Sequence, residues 1–141
     1  MPDTDSPFDP AADDWHRMED EYGYPQTMGG FWTKRDGAQT LFGLLTDNQH
    51  SNRNQRIHGG VVVGLADHAL GYTTVDAGQG RPQATVQLDV QFTGSPHVGD
   101  FLVARGTVVH MTRTLVFMRA DIHAADRLIA TANGIWKILG T

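Results

Sequence analysis

The run His58-Gly59-Gly60-Val61-Val62-Val63-Gly64-Leu65-Ala66-Asp67 sets one carboxylate inside an apolar stretch that opens on a glycine pair. An unpaired charge in apolar surroundings is costly, so a lone acid there points to chemistry rather than packing. At helical spacing its neighbours are Val63, Gly64, Leu70 and Gly71, and none of them can form a salt bridge with it. Glycines at a helix start present backbone N–H groups that lack intrahelical partners and lie at the positive end of the helix dipole. With no Cβ in the way, a ligand can approach them closely. Such an N–H at Gly59 can hold a carbonyl oxygen as negative charge builds on it. A carboxylate and an oxyanion donor are together the equipment of acyl transfer. A Gly-Gly pair alone, by contrast, signals no more than a turn.

Eight residues separate Gly59 from Asp67. In one helix that is about 12 Å of rise. A single carbonyl cannot touch both, since reacting atoms approach to about 3–3.5 Å. Either only one of the two matters, or Asp67 meets the glycine of another copy. The second case requires at least a homodimer with two sites about a two-fold axis.

Asn52 stands six residues before His58, where its amide could orient a water or hold an acyl carbonyl. Asn54 and Gln55 compete for that role, and asparagine in a loop commonly serves the turn itself. His58 is placed to order this loop or cap the helix start. His68 follows Asp67 but points about 100° away on a helix. The seven histidines show no zinc-ligand spacing, so no metal site is expected. There is no Gly-x-Ser-x-Gly elbow, and no Walker or dinucleotide fingerprint either.

These residues need a frame. The segment 58–75 is long for a buried strand and suits a helix packed closely on all sides, ended by Ala77-Gly78-Gln79-Gly80. Residues 1–12, with Pro2, Pro7 and Pro10, read as a frayed tail before one domain over 13–141. Trp15, Met18 and Tyr22 give 11–22 the spacing of a short helix. Segments 29–35 and 38–45 form a hairpin about Asp36-Gly37, and 47–56 is a polar loop. From 84 to 92 the alternation puts Ala84, Val86, Leu88, Val90 and Phe92 on one face and Thr85, Gln87, Asp89 and Gln91 on the other. Three more strands follow, at 101–110, 114–123 and 128–139, with links short enough for antiparallel neighbours. A sheet with one apolar face can curl around the helix.

The chain has 141 residues, 11 Lys and Arg, a formal charge of −5 and no cysteine. That balance argues against a nucleic-acid partner, and the lack of cysteine excludes disulfides and thiolate metal sites. No signal pattern or membrane-length apolar run is present, so the expectation is a cytoplasmic protein with no membrane partner.

At Asn52, His58-Gly59-Gly60 and Leu65-Ala66-Asp67 the chain resembles the hotdog-fold acyl-CoA thioesterases, in particular the PaaI-like (phenylacetate degradation) and thioesterase superfamily member 2 group. The likeness extends over the element order from about 28 to 139 and includes the turn 94–100. The resemblance implies an α+β hotdog fold, with about six antiparallel strands wrapped around one long central helix. It implies homodimers that often pair into homotetramers. Asp67 would be nucleophile or general base, Gly59 N–H the oxyanion donor, and Asn52 a water- or carbonyl-positioning group, with acid and glycine from opposite subunits. His58, Gly60, Thr85 and Arg113 would contact substrate, Thr85 as an assisting hydroxyl. No cofactor or metal is implied, and CoA is part of the substrate. Two departures stand out. Gln55 occupies a position where many relatives have glycine, and Thr112 replaces a common turn glycine before Arg113.

The expected activity is hydrolysis of acyl-CoA to free acid and CoA. The alternatives are a non-catalytic acyl-CoA or lipid sensor and a hotdog 3-hydroxyacyl thioester dehydratase, the latter using His58 or His68 with an acid. Arg81, Arg105, Arg113 and Arg119 are the candidates for the CoA phosphates. Phe31, Trp32, Tyr72 and Trp136 are bulky enough to shape an acyl pocket, although ordinary packing also accounts for each.

Overall fold

A helix that is apolar around its circumference has to be covered, and here a curled sheet covers it. The computed structural model describes residues 7–19 and 21–140. Its elements in chain order are β1 (His16–Arg17), α1 (Tyr24–Thr27), β2 (Trp32–Asp36), β3 (Gln39–Leu45), α2 (Gly59–Ala77), β4 (Gln83–Phe92), β5 (Phe101–Met111), β6 (Leu115–Ala124) and β7 (Arg127–Ile138). All neighbouring strands are antiparallel, in the order β1-β2-β3-β5-β6-β7-β4. Six long strands and one long helix agree with the α+β hotdog expectation, and β1 adds a two-residue seventh strand at one edge.

Helix α2 leaves the sheet after β3, crosses its concave face against β3 to β7, and delivers the chain to β4 at the far edge. The core between them includes Phe31, Leu44, Leu65, Leu70, Leu102, Met118 and Trp136, all fully buried. Gly64 and Gly71 each cost a helix about 1 kcal/mol relative to alanine. They permit close approach instead. A Cβ at Gly64 would lie 2.5 Å from the Tyr24 hydroxyl, and one at Gly71 would lie 2.8 Å from Gln83 Nε2.

Two expectations need correction. Segment 11–22 is not a helix: Pro10–Asp13 is a single 3-10 turn, and β1 follows it. Asp14 takes φ 62°, which ends the turn, and Met18 N–H donates to Phe31 O at 2.9 Å. The backbone thus pairs across to the segment leading into β2 rather than with itself. Trp15 is buried against Phe101 while Tyr22 is 78% exposed, so they do not share one face. The first six residues of the expected tail lie outside the described residues.

The second correction is in β4. A bulge between Thr85 and Gln87 breaks the alternation. Beyond it, Leu88 and Val90 pair with Gly134 and Ala132 on the core face, as the pattern requires. Before it, Thr85 pairs with the buried Trp136, and Gln83 with the buried Ile138. Thr85 therefore faces the helix rather than the polar side, and Val86 is left 58% exposed. One extra residue shifts every earlier side chain to the other face.

Candidate active site

The loop before α2 is tied down from both ends. Asp47 and His50 form a reciprocal cap: the Asp47 side chain accepts from Gln49 N–H, and Asp47 N–H donates to His50 Nδ1 at 2.9 Å. Because His50 Nδ1 accepts, its Nε2 carries the proton and donates to Met28 O at 2.7 Å in a buried position. His50 was one polar residue among several in the sequence; its anchoring role depends on a contact 22 residues away.

Asn52 shapes the next turn. Its Oδ1 accepts from Asn54 N–H at 2.8 Å and from Arg56 N–H at 3.2 Å. The turn reading of this asparagine thus applies to its oxygen, and its NH₂ remains as a donor. Gln55 adopts φ 60°, the left-handed conformation that glycine favours, so the loop keeps a glycine's backbone path here.

His58 caps the helix. Its extended backbone ends the loop, and its Nδ1 accepts from Gly60 N–H at 2.8 Å. That bond occupies Gly60. Among the described residues no acceptor meets Gly59 N–H, which lies in the first turn of a 19-residue helix. Of the two glycines, Gly59 holds the spare donor.

Asp67 is partly buried on the flank of α2 that faces β4. Its Oδ1 accepts from the Thr85 hydroxyl at 2.7 Å. The bulge at Val86 makes this bond possible. Asp67 and Gly59 lie on one continuous helix, so the separation of about 12 Å applies to a single copy.

His68 occupies a different environment. It is stacked on Phe31 at 3.9 Å and lies near Tyr72 at 4.7 Å and Phe42 at 5.9 Å. Its Nε2 is 3.1 Å from Met18 Sδ and 3.2 Å from Glu21 Oε1, with only 7% and 5% of the His68 and Glu21 side chains exposed. Burial lowers the His68 pKa from 6.5 to about 4. Burial also raises Glu21, against a backbone bond from Phe31 and the nearby Arg17 charge. Tyr72 is raised by burial and by Glu21. An ion pair would have shifted the histidine and the carboxyl in the opposite directions, so desolvation outweighs attraction here. No sequence motif links Glu21 to His68. The histidine and acid that a dehydratase would need are present, but they are sealed under an aromatic stack.

The basic candidates separate by environment. Arg105 is paired with Asp36 at 2.9 Å, and Arg81 donates to Gly78 O at 3.0 Å. Arg119 is exposed on β6. Arg113 is exposed in the β5–β6 turn, where the Thr112 hydroxyl accepts from Leu115 N–H at 3.0 Å and takes over the turn from a glycine. Arg53 and Arg56 follow Asn52 in the same turn and were not singled out in the sequence. Arg56 Nη1 lies 3.0 and 3.2 Å from the two ring nitrogens of His97, over the ring.

Phe31 and Trp136 are core residues. Trp32 lies under the Arg17 guanidinium at 5.4 Å. Tyr72 lines a cavity of about 600 Å³ with Met18, Phe42 and Thr73, roughly 140° around the helix from Asp67. Among the described residues no three His, Asp or Glu side chains cluster as a metal site would. No described helix is long and apolar enough to cross a membrane.

The model of the thioesterase superfamily matches residues 54–131. A Pseudomonas aeruginosa protein named "Putative esterase" is 32% identical over 113 residues, covering 79% of this chain and 84% of that protein. The fold is similar to that of the E. coli PaaI protein from the phenylacetic acid degradation operon, with TM-score 0.74, 22% identity and coverage of 82% and 83% of the two chains. Zebra fish thioesterase superfamily member 2 gives TM-score 0.76 at 20% identity, over 85% of this chain and 89% of that one. A hypothetical thioesterase from Streptococcus pneumoniae TIGR4, solved with coenzyme A, gives TM-score 0.71 at 23% identity, over 79% and 90%.

Proposed function

The chain belongs to the thioesterase superfamily, and on that footing we propose that it hydrolyses acyl-CoA thioesters to the free acid and CoA. The observation that carries this reading is the division of labour along α2. A carboxylate held by Thr85 sits mid-helix, and an unoccupied N–H sits at Gly59, too far away to share a carbonyl with it. Two copies bring such groups together. Strand β4 supports this, because it is the last strand of the sheet and its outer edge has no partner among the described residues. A second β4 can pair there and bring two helices side by side.

In that dimer the thioester oxygen takes the partner subunit's Gly59 N–H, with the Asn52 NH₂ as second donor. Negative charge on that oxygen strengthens both bonds. Asp67 either attacks the carbonyl to give a mixed anhydride or takes a proton from an attacking water. Thr85 fixes the carboxylate rotamer in either case. His58 and Gly60 hold the helix start in shape, and Arg113 is the exposed cation offered to the CoA phosphates. The coenzyme A in the S. pneumoniae structure supports a CoA thioester as the substrate class. Pairing into tetramers and a cytoplasmic location belong to the same reading.

Thiol release from a panel of aryl-, short-, medium- and long-chain acyl-CoAs tests it. Asp67→Asn should lower turnover by about 10²–10⁴ with the circular dichroism spectrum unchanged. Near-normal turnover in that variant removes the proposed chemistry. Tight binding of acyl-CoA by the wild type without thiol release would instead make this protein a sensor.

A further inference from the structure

The Asp67–Thr85 bond has a second rung beside it. Gly71 lies one helical turn after Asp67, and Gln83 lies two residues before Thr85 on the same face of β4. The Gln83 carboxamide rests on the helix where Gly71 has no side chain: a Cβ there would lie 2.8 Å from Nε2. Yet Gln83 Oε1 is buried with no hydrogen-bond partner. Directly opposite Thr85 on β7, the indole N–H of the fully buried Trp136 also lacks a partner. Three buried side-chain polar atoms are orphaned among the described residues, and two of them belong to sheet neighbours of Thr85.

Orphaned polar atoms in a native interior call for an explanation, and a water or ligand atom is the usual one. Gln83 Oε1 is an acceptor, and a water can donate to it. The spacing is also suitable. Side chains four apart on a helix are about 5–6 Å apart at Cβ. The Asp67 carboxylate and an amide seated on Gly71 are therefore about two hydrogen bonds apart, the gap that one water spans.

We propose that Gln83 is a positioning residue that holds the hydrolytic water against Asp67. The proposal rests on the thioesterase reading and selects its general-base form. The water donates one hydrogen to Gln83 Oε1 and the other to the free oxygen of Asp67, since Thr85 already occupies Oδ1. As the water oxygen bonds to the thioester carbon, its second proton passes to Asp67 and the carbonyl electron pair moves onto oxygen. The tetrahedral intermediate then collapses. The C–S bond breaks, the proton on Asp67 passes to sulfur, and acid and thiol leave. No oxidant, metal or other reactant is needed.

The test compares wild type, Gln83→Met and Gln83→Glu in steady-state hydrolysis of the best acyl-CoA. Gln83→Met keeps the shape and removes the acceptor. Its kcat should fall about 10–100-fold at unchanged KM, with Tm close to wild type. Gln83→Glu restores an acceptor oxygen and should recover part of kcat. A single wild-type turnover in ¹⁸O-water should label the released acid and leave Asp67 unlabelled. A Gln83→Met kcat within twofold of wild type overturns the role. So does an effect confined to KM, which would make Gln83 an acyl contact, or label appearing in Asp67. No thiol release by the wild type would sink the thioesterase reading itself.

Discussion

Asp67 and His68 are adjacent in the chain and opposite in circumstance. Asp67 was legible because it is the only acid in an apolar run, and the structure gives it a hydroxyl partner in Thr85. His68 turns the other way into an aromatic stack with Glu21, a partnership that no local pattern announces because it forms only on folding. Burial there has a consequence for pH. Between the lowered value of about 4 and the ordinary 6.5, the unfolded chain holds a proton at His68 and the folded chain does not. Stability from this residue therefore rises with pH across that window, by on the order of 3 kcal/mol. Glu21 acts in the opposite sense: its raised pKa favours the folded state at low pH, and that contribution fades as pH rises. Thermal melts should show Tm falling from pH 6.5 to 4.5, less steeply in His68→Gln and more steeply in Glu21→Gln. A His68→Gln melt that parallels wild type at every pH would contradict this account.

The long elements were visible from period alone. Helix α2 begins at Gly59 as the capping residues suggest, and the four later strands fall within a residue or two of the apolar alternation. The bulge was not visible, because Val86 is apolar and continues the alternation. Only pairing with Trp136 on one side and Ile135 on the other reveals it. Likewise Trp15, Met18 and Tyr22 have helical spacing, but the stretch from His16 to Met18 takes its hydrogen bonds from across the sheet edge. Spacing identifies a face only when the backbone is regular. The bulge lends itself to a direct experiment. In Thr85→Val the hydroxyl that the bulge turns inward is removed, and Asp67 loses its partner. Turnover should fall about 10–100-fold, as expected for losing a hydrogen bond to a charged group, while the sheet signal in circular dichroism persists. Undiminished turnover would mean that Thr85 does not matter.

For the whole molecule, the claim is that each site takes its parts from two copies. Sequence arithmetic already required this or the idleness of one group, since helix rise is fixed, but it could not supply the surface on which copies meet. The structure offers the outer edge of β4, which no strand among the described residues covers. Gly59→Pro removes the proposed oxyanion N–H at a helix position where proline is well tolerated, and His58 already has the φ −61°, ψ 136° backbone that a following proline prefers. This variant and Asp67→Asn should each be inactive. Unfolded together and refolded, they should regain about a quarter of wild-type activity, since half the dimers are mixed and each has one intact site. No recovery on mixing would place the acid and the N–H in one copy's service or in none. The bare margin of β4 has another consequence. It is ten residues of extended chain, with Val86 and Phe92 exposed along it, and such a margin accepts whichever strand arrives first. A newly made copy is safest in a crowd of its own kind: scarcity, more than heat, would expose it to capture by strangers.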